Sequence, residues 1–249
     1  MPDLIATETD GILWLSINRP AKASSISRAV TDAYAEALAS LHEREDLKGA
    51  IWTSASATLF SGGVDLKRPE GLDDQQASEY RTAIITDLLM ATLTCPRPIV
   101  TMTQGRMIGG AFLNALVCDR IVAAEGAVFQ LPEVRIGMGS PIAAAVVEGA
   151  THAGLAYDLL LSAREIPAER LEEMGGPCTT VPQDALAARA VETLESLAAM
   201  PREAFGYMKR WFQAPRIEAL EHAIRFTAET RRGRNSEVTG LVEKFFEKT

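Results

Sequence analysis

The sequence predicts an α/β fold whose last third is helical. Short apolar runs of strand type alternate with segments of helical periodicity up to about residue 150, and helical periodicity dominates after Glu148. The chain has 249 residues, of which 47% are hydrophobic, so it is long enough to bury a large core. We expect an α/β core over residues 1–195 and a helical region over residues 196–249.

The predicted strands are short, apolar and rich in β-branched residues, as buried strands usually are. In chain order they are residues 11–17, 50–53, 99–103, 121–124 and 128–131. The predicted helices of the core are residues 27–42, 80–93 and 109–118, and those of the last third are residues 155–161, 167–174, 183–199, 202–212 and 216–248. Ser27 is an expected N-cap of the first helix, and Pro96 and Pro98 should end the second.

Composition excludes several classes of protein. A net charge of −8 argues against nucleic acid and membrane surfaces as partners. No metal site is expected, because the three cysteines and three histidines are scattered without ligand spacing; they are Cys95, Cys118, Cys178, His42, His152 and His222. Buried free thiols and exposed histidines are the expectation. The start, residues 1–4, carries no pattern of a secretory signal, so we expect a cytoplasmic protein.

Two glycine pairs are the most informative feature of the chain. Gly62-Gly63 and Gly109-Gly110 each follow an apolar run, which indicates strands that open into a turn or helix and expose backbone N–H groups. Two such turns side by side would direct two N–H donors at one point, as stabilisation of a thioester oxyanion requires. The alternative is that these glycines only make tight turns.

Four motifs in order and spacing resemble the enoyl-CoA hydratase/isomerase (crotonase) superfamily. They are Phe60-Ser61-Gly62-Gly63-Val64-Asp65-Leu66-Lys67, residues 98–100 with Gln104-Gly105 and Gly109-Gly110, Cys118-Asp119-Arg120, and residues 129–137. The resemblance implies a spiral of ββα turns with a helical C-terminal region used for trimerisation. It also implies an acyl-CoA or acyl-carrier thioester substrate, with coenzyme A as part of the substrate and no separate cofactor, and a homotrimer or dimer of trimers.

By position, the resemblance makes the N–H groups of Val64 and Gly110 the oxyanion donors and Glu133 the acid/base. Apolar neighbours such as Leu131 and Val134 would raise the pKa of the Glu133 carboxyl and improve it as a proton carrier. The alternative for Glu133 is a solvated surface glutamate paired with Arg135.

Two departures from the family pattern affect the predicted reaction. Leu113 stands where hydratases of the family have a second glutamate, which favours double-bond isomerisation by one base over hydration. Pro141 and the following alanines replace a glycine-rich run, so the pocket floor should differ. Hydration, enolate-dependent decarboxylation or carbon–carbon bond chemistry, and a catalytically inactive thioester-binding subunit are the alternatives.

Further substrate contacts are expected around these motifs. The residues are Lys22, Gly62, Gly63, Asp65, Leu66, Gly109, Leu113, Pro132, Pro141, Lys244 and Phe245. Lys22, Lys67, Arg68 and the cluster of residues 231–234 are candidates for the coenzyme A phosphates, with solvated surface as the alternative. Asp65 is also expected to cap a helix, Asp119 to be structural, and the loop 68–74 to cover a ligand.

Overall fold

A computed structural model describes residues 1–230 of the chain. The strands are β1 (Leu4–Thr9), β2 (Ile12–Ile17), β3 (Gly49–Ser54), β4 (Leu59–Ser61), β5 (Ile99–Thr103), β6 (Arg106–Ile108), β7 (Arg120–Ala124), β8 (Val128–Gln130), β9 (Glu165–Pro167) and β10 (Cys178–Val181). The helices are α1 (Arg28–Glu43), α2 (Asp74–Thr94), α3 (Gly110–Val117), α4 (Pro141–Ala150), α5 (Ala153–Ser162), α6 (Ala168–Glu173), α7 (Leu186–Ala198) and α8 (Arg202–Thr230).

The strands form two sheets that the chain visits in turn. The larger has the order β1-β2-β3-β5-β7-β10 and is parallel except for the β1–β2 hairpin. The smaller has the order β4-β6-β8-β9, with β9 antiparallel. Each of β3, β5 and β7 is followed by a short strand of the smaller sheet and then a helix. This is a spiral of ββα turns, and the predicted fold class is confirmed.

Aromatic contacts connect the core to the two glycine turns. Phe60, two residues before Gly62, packs edge-on against Trp52 of β3, with ring centroids 4.9 Å apart. Phe112, two residues after Gly110, stacks on Phe129 of β8 at 4.7 Å. The turns are therefore anchored by buried rings directly beside them.

Several predicted elements are confirmed. The side chain of Ser27 caps α1 by accepting from the N–H of Val30, and β2, β3, β5, β7 and β8 lie where the apolar runs predicted strands. All three cysteines are buried and unpaired, and all three histidines are exposed. The expected boundary between residues 195 and 196 falls inside α7 and stays a prediction.

Other elements differ from the prediction. Helix α2 begins at Asp74, six residues early, because Asp73 and Gln76 form a capping box. The last third contains two strands that were not predicted, β9 and β10, which pair with β8 and β7.

The two helices predicted over 202–212 and 216–248 are one helix as far as Thr230, so Pro215 does not end it. Residues buried on both sides of the proline, including Gln213 and Leu220, hold α8 on the core in spite of the hydrogen bond that Pro215 lacks. Among the described residues, no helix is both long and apolar enough to cross a membrane.

Candidate active site

The two glycine turns are in direct contact. Gly63 has a φ of +96°, and a β-carbon on it would lie 3.1 Å from the carbonyl oxygen of Ile108 and 3.6 Å from the nitrogen of Gly110. The turns follow β4 and β6, which are neighbours in the smaller sheet. Adjacent parallel strands thus bring together two turns that lie more than forty residues apart in sequence.

The backbone of Ile26 sets the direction of the Val64 amide. The N–H of Ile26 donates to the carbonyl of Gly63 at 2.8 Å, and its carbonyl accepts from the N–H of Asp65 at 2.9 Å. In this parallel pairing the intervening residue, Val64, points its own N–H away from Ile26. The N–H of Gly110 opens α3, so it has no acceptor within the helix. Neither amide donates to another of residues 1–230.

Glu133 lies on the opposite wall of the same space. It opens a 3₁₀ turn, Glu133–Ile136, which a hydrogen bond from the N–H of Met138 to the carbonyl of Glu133 closes at 2.9 Å. Its Oε2 is buried and has no hydrogen-bond partner among the described residues. Burial raises the pKa of the Glu133 carboxyl from 4.5 to about 7. Arg135 instead donates to the carbonyl of Ser162, so the solvated pair considered as an alternative does not form.

Most predicted site residues line one cavity of about 140 Å³. From the prediction it includes Gly62, Gly63, Val64, Leu66, Gly109, Gly110, Leu113, Pro132 and Glu133. The other lining residues were not among the predicted contacts; they are Ser78, Arg81, Thr82, Ile85, Ile108, Ile136, Met138, Ser140 and Ile142. Within the described part of the chain, Glu133 is the one carboxylate that lines this cavity.

Asp65 supports the first turn from outside the cavity. Its carboxylate pairs with Arg19 at 3.0 Å and accepts from the N–H of Lys67 at 3.1 Å. The chain remains non-helical from there to Asp74, so the predicted helix cap at Asp65 is wrong. The predicted capping pattern fails because the carboxylate serves a local turn and a distant arginine instead.

Three other expected contacts lie around the cavity rather than in it. Lys22 is exposed in a 3₁₀ turn next to Ala23, whose carbonyl accepts from the N–H of Gly62 at 2.8 Å. Pro141 is the first residue of α4, while its neighbours Ser140 and Ile142 line the cavity. Arg68 pairs with Asp74 at 2.7 Å, across its own loop.

Some expected roles fall on residues that the structure does not describe, namely Lys244, Phe245 and the cluster 231–234.

Asp119 has the structural role predicted for it: its Oδ2 accepts from the N–H of Ile99 and from the ammonium of buried Lys209, each at 2.7 Å. Among residues 1–230, no group of three candidate ligands suits a metal ion.

The spiral of ββα turns, with its cavity between two glycine turns, defines the class of crotonase-fold enzymes, which act on acyl-CoA thioesters. A sequence model of the enoyl-CoA hydratase/isomerase family matches residues 7–248, and the chain belongs to that family.

Relatives within this family differ in the reactions that their names give. Carboxymethylproline synthase of Pectobacterium carotovorum is 25% identical over 242 residues, covering 93% of this chain and 96% of the relative. Carnitinyl-CoA dehydratase of Salmonella enteritidis is 27% identical, covering 88% of this chain and 84% of the relative. The crystal structure of an enoyl-CoA hydratase from Mycobacterium avium superposes with a TM-score of 0.84 at 24% identity, covering 99% and 96% of the two chains. The comparisons thus give the family and the fold but not the reaction.

Proposed function

We propose that the protein moves the double bond of an enoyl-CoA thioester through an enolate, with Glu133 as its one proton carrier. The observation that carries this proposal is the Glu133 carboxylate: its Oε2 is buried without a hydrogen-bond partner among the described residues, beside the two glycine turns. A carboxylate with a pKa of about 7 is suited to both taking and returning a proton near neutral pH.

The N–H groups of Val64 and Gly110 are the proposed donors to the thioester oxygen. Both face the cavity without an acceptor among residues 1–230. The N-terminal end of α3 adds the positive end of its dipole at Gly110. Such donors stabilise the negative charge that develops on the oxygen as the enolate forms. The fixed turn geometry positions them before the substrate arrives.

The proposed reaction balances without an oxidant or a metal. The ionised carboxylate of Glu133 takes a proton from the α-carbon of a 3-enoyl thioester, and the electron pair of that C–H bond becomes the enolate. The double bond then shifts, and the carboxylic acid of Glu133 delivers a proton to the γ-carbon. Leu113, buried on the cavity wall, has no group that could activate water for hydration.

One observation favours a second candidate. The same two amides would stabilise an enolate formed by decarboxylation or used to make a carbon–carbon bond, and one relative is named carboxymethylproline synthase. Hydration is the weaker candidate because Leu113 replaces a carboxylate. The departures at Leu113 and Pro141 are also what a catalytically inactive thioester-binding subunit would show.

Exchange of α-protons tests the proposal before the substrate is known. Saturated acyl-CoA thioesters are incubated in D₂O with the wild-type protein, with Glu133→Gln and with Glu36→Gln, which changes an exposed glutamate of α1. Mass spectrometry follows deuterium uptake, and a binding titration runs in parallel. We expect exchange with the wild-type protein and Glu36→Gln, and a loss of about a hundredfold or more with Glu133→Gln. A thioester that binds the wild-type protein but exchanges no proton would contradict the proposal.

We further propose a cytoplasmic homotrimer or dimer of trimers. Helix α8 supports an assembly because it exposes Tyr207, Trp211 and Phe212, each by more than 60%. Light scattering during size-exclusion chromatography measures the mass directly, and a monomer would contradict the proposal.

A further inference from the structure

The segment of residues 19–26 supports the first glycine turn through its backbone. The carbonyl of Ala23 accepts from the N–H of Gly62 at 2.8 Å, and Ile26 forms hydrogen bonds with the residues on both sides of Val64. Apart from one 3₁₀ turn and the bridge at Ile26, the segment has no regular structure of its own. The direction of the Val64 amide therefore depends on what holds this segment in place.

Two residues of the segment adopt a backbone conformation that side chains disfavour. Ala23 and Ser24 have φ values of +51° and +48°, in the left-handed region. Neither is a glycine, so the surrounding structure has to hold them there. The carbonyl of Arg19 contributes by accepting from the N–H of Ser24 at 2.9 Å.

The guanidinium of Arg19 joins this segment to the glycine turn. Its Nη1 donates to the carbonyl and to the hydroxyl of Ser25, at 2.8 and 2.7 Å, and its Nη2 donates to Oδ2 of Asp65 at 3.0 Å. Ser25 directly precedes Ile26 in the chain, and Asp65 directly follows Val64. Arg19 therefore connects the two strands of the bridge that sets the direction of the Val64 amide.

From these contacts we propose that Arg19 is a positioning residue, which keeps the Val64 amide directed at the thioester oxygen. This rests on the proposed function, because it takes the Val64 amide as a donor to that oxygen. Arg19 does not line the cavity, so it acts through the backbone and not on the substrate. Hydrogen bonds weaken steeply when the donor is misdirected. A small rotation of the turn would therefore lower the rate although both donors and Glu133 are still present.

The contacts use the shape of the guanidinium as well as its charge. Besides the two Nη groups, Nε pairs with Asp3 at 2.9 Å, so each nitrogen of the fork binds a different residue. Only 13% of the Arg19 side chain is exposed, which shields these contacts from water. A lysine has one nitrogen on a flexible stem. It could pair with Asp65 but could not also bind Ser25 and Asp3.

The carbonyl stretching frequency of a bound thioester tests this proposal directly. A hydrogen bond to the thioester oxygen lowers the frequency, and overall stability does not affect it. Infrared difference spectroscopy is applied to butanoyl-CoA and octanoyl-CoA, each labelled with carbon-13 at the thioester carbonyl. The proteins are the wild type, Arg19→Gln, Arg19→Lys and Arg44→Gln. Arg44 is a matched control because its guanidinium also binds two acidic side chains, Glu8 and Asp46, and does not line the cavity.

We expect the wild-type protein and Arg44→Gln to lower the frequency equally. In Arg19→Gln the frequency should return part of the way to that of the free thioester, and α-proton exchange at saturating thioester should fall about tenfold or more. Arg19→Lys should lie between the two. The midpoint of the pH profile of exchange should stay at about 7, because the hydrogen bonds of Arg19 are to residues other than Glu133.

A folded Arg19→Gln with the wild-type frequency would overturn the inference. Slower exchange with an unchanged frequency would also overturn it, because Arg19 would then act somewhere other than the thioester oxygen. If Arg19→Gln does not fold, Arg19→Lys and Asp65→Asn decide. Asp65→Asn removes the charge of the partner without changing its size, and the wild-type frequency in these folded variants would overturn the inference.

The pattern of failure separates this inference from the proposed function. If the wild-type protein lowers the frequency and exchanges α-protons, and the Arg19 variants do the same, the enolate chemistry stands and only the positioning role fails. If the wild-type protein lowers the frequency without exchanging protons, the proposed proton transfer fails, and the frequencies of the variants still decide the role of Arg19. If both thioesters bind at the frequency of the free molecule, or neither binds, the oxyanion donors and the role of Arg19 are contradicted together.

Discussion

Gly109 and Glu133 face each other so closely that a β-carbon on Gly109 would lie 3.1 Å from Oε1 of Glu133. Gly109 immediately precedes the proposed oxyanion donor Gly110, so the missing side chain lets the proposed base approach the proposed oxyanion hole. The backbone of Gly109 adopts φ +56° and ψ −128°, a combination that residues with a side chain essentially do not adopt. Glycine at this position therefore allows both the close approach of Glu133 and the backbone conformation of the turn.

Replacing Gly109 by alanine should lower the rate of α-proton exchange by tenfold or more. The new methyl group would displace the Glu133 carboxylate or tilt the turn that presents the Gly110 amide. The backbone conformation adds about 1–3 kcal/mol of strain, which should appear as a lower midpoint of urea unfolding.

Gly154→Ala is the matched control for Gly109→Ala, because Gly154 lies in α5 and a β-carbon there makes only ordinary contacts with His152. We expect this control to keep the exchange rate and to leave stability unchanged or slightly raised. Exchange at the wild-type rate in Gly109→Ala would show that the Glu133 contact is not needed.

The raised pKa of Glu133 predicts opposite effects of pH on activity and on stability. In the proposed mechanism the carboxylate is the base, so exchange should increase with pH up to a plateau above about 7. In the unfolded chain the carboxyl titrates near 4.5, so the folded protein binds the extra proton between 4.5 and 7. The stability this proton provides is complete below 4.5 and is lost as pH rises through 7.

Comparison with Glu133→Gln isolates the contribution of this carboxyl to stability. The variant should gain stability relative to the wild-type protein by an amount on the order of 3 kcal/mol as pH rises from 4.5 to 8. Urea unfolding at both pH values measures the change. A difference that does not vary with pH would mean that the Glu133 carboxyl titrates normally in the folded protein.

Local signals in the sequence predicted the turns of the site and part of its walls, but not the wall that α2 forms. The two glycine pairs and Glu133 stand in recognisable motifs, and apolar runs placed the central strands. Residues of α2 such as Arg81 carry no such signal, because their helical spacing shows that they share a face but not what the face meets. That information lies in the packing of α2 against the glycine turns, which depends on contacts far apart in sequence.

Elements with weak local signals were missed for related reasons. Strand β10 has four residues and depends on pairing with β7, which lies more than fifty residues earlier. Pro215 predicts a helix end locally, yet α8 continues because its buried residues pack on the core. Asp65 resembles a cap until Arg19, forty-six residues away in sequence, provides its partner. In each case tertiary contacts outweigh the local preference.

A buried polar network holds α3 against α1 and α2. The hydroxyl of Tyr34 lies 3.0 Å from that of Thr92, Thr92 donates to Oδ1 of Asn114 at 2.7 Å, and Nδ2 of Asn114 donates to Tyr34 at 3.3 Å. Tyr34→Phe should destabilise the protein by about 1–3 kcal/mol, because the Asn114 amide loses a buried acceptor. Denaturant unfolding measures this, with exposed Tyr157→Phe as the control. Equal stability of the two variants would show that the network contributes nothing.

Leu113→Glu should give the protein hydratase activity that the proposed one-base mechanism does not provide. Leu113 is buried on the cavity wall one turn into α3, where a carboxylate would meet the same thioester from a second side. Two carboxylates would divide water activation and carbon protonation, whereas in the proposed mechanism Glu133 alone transfers one proton. We expect slow addition of water to a 2-enoyl-CoA. Loss of the conjugated enoyl absorbance and mass spectrometry of the 3-hydroxyacyl product measure it.

Leu113→Gln, which is similar in size but cannot ionise, is the control and should not hydrate the thioester. The buried carboxylate will lower stability, so folding of both variants is checked by circular dichroism. If a folded Leu113→Glu binds the thioester but does not hydrate it, a carboxylate at position 113 is not sufficient for hydratase activity, and the prediction is wrong.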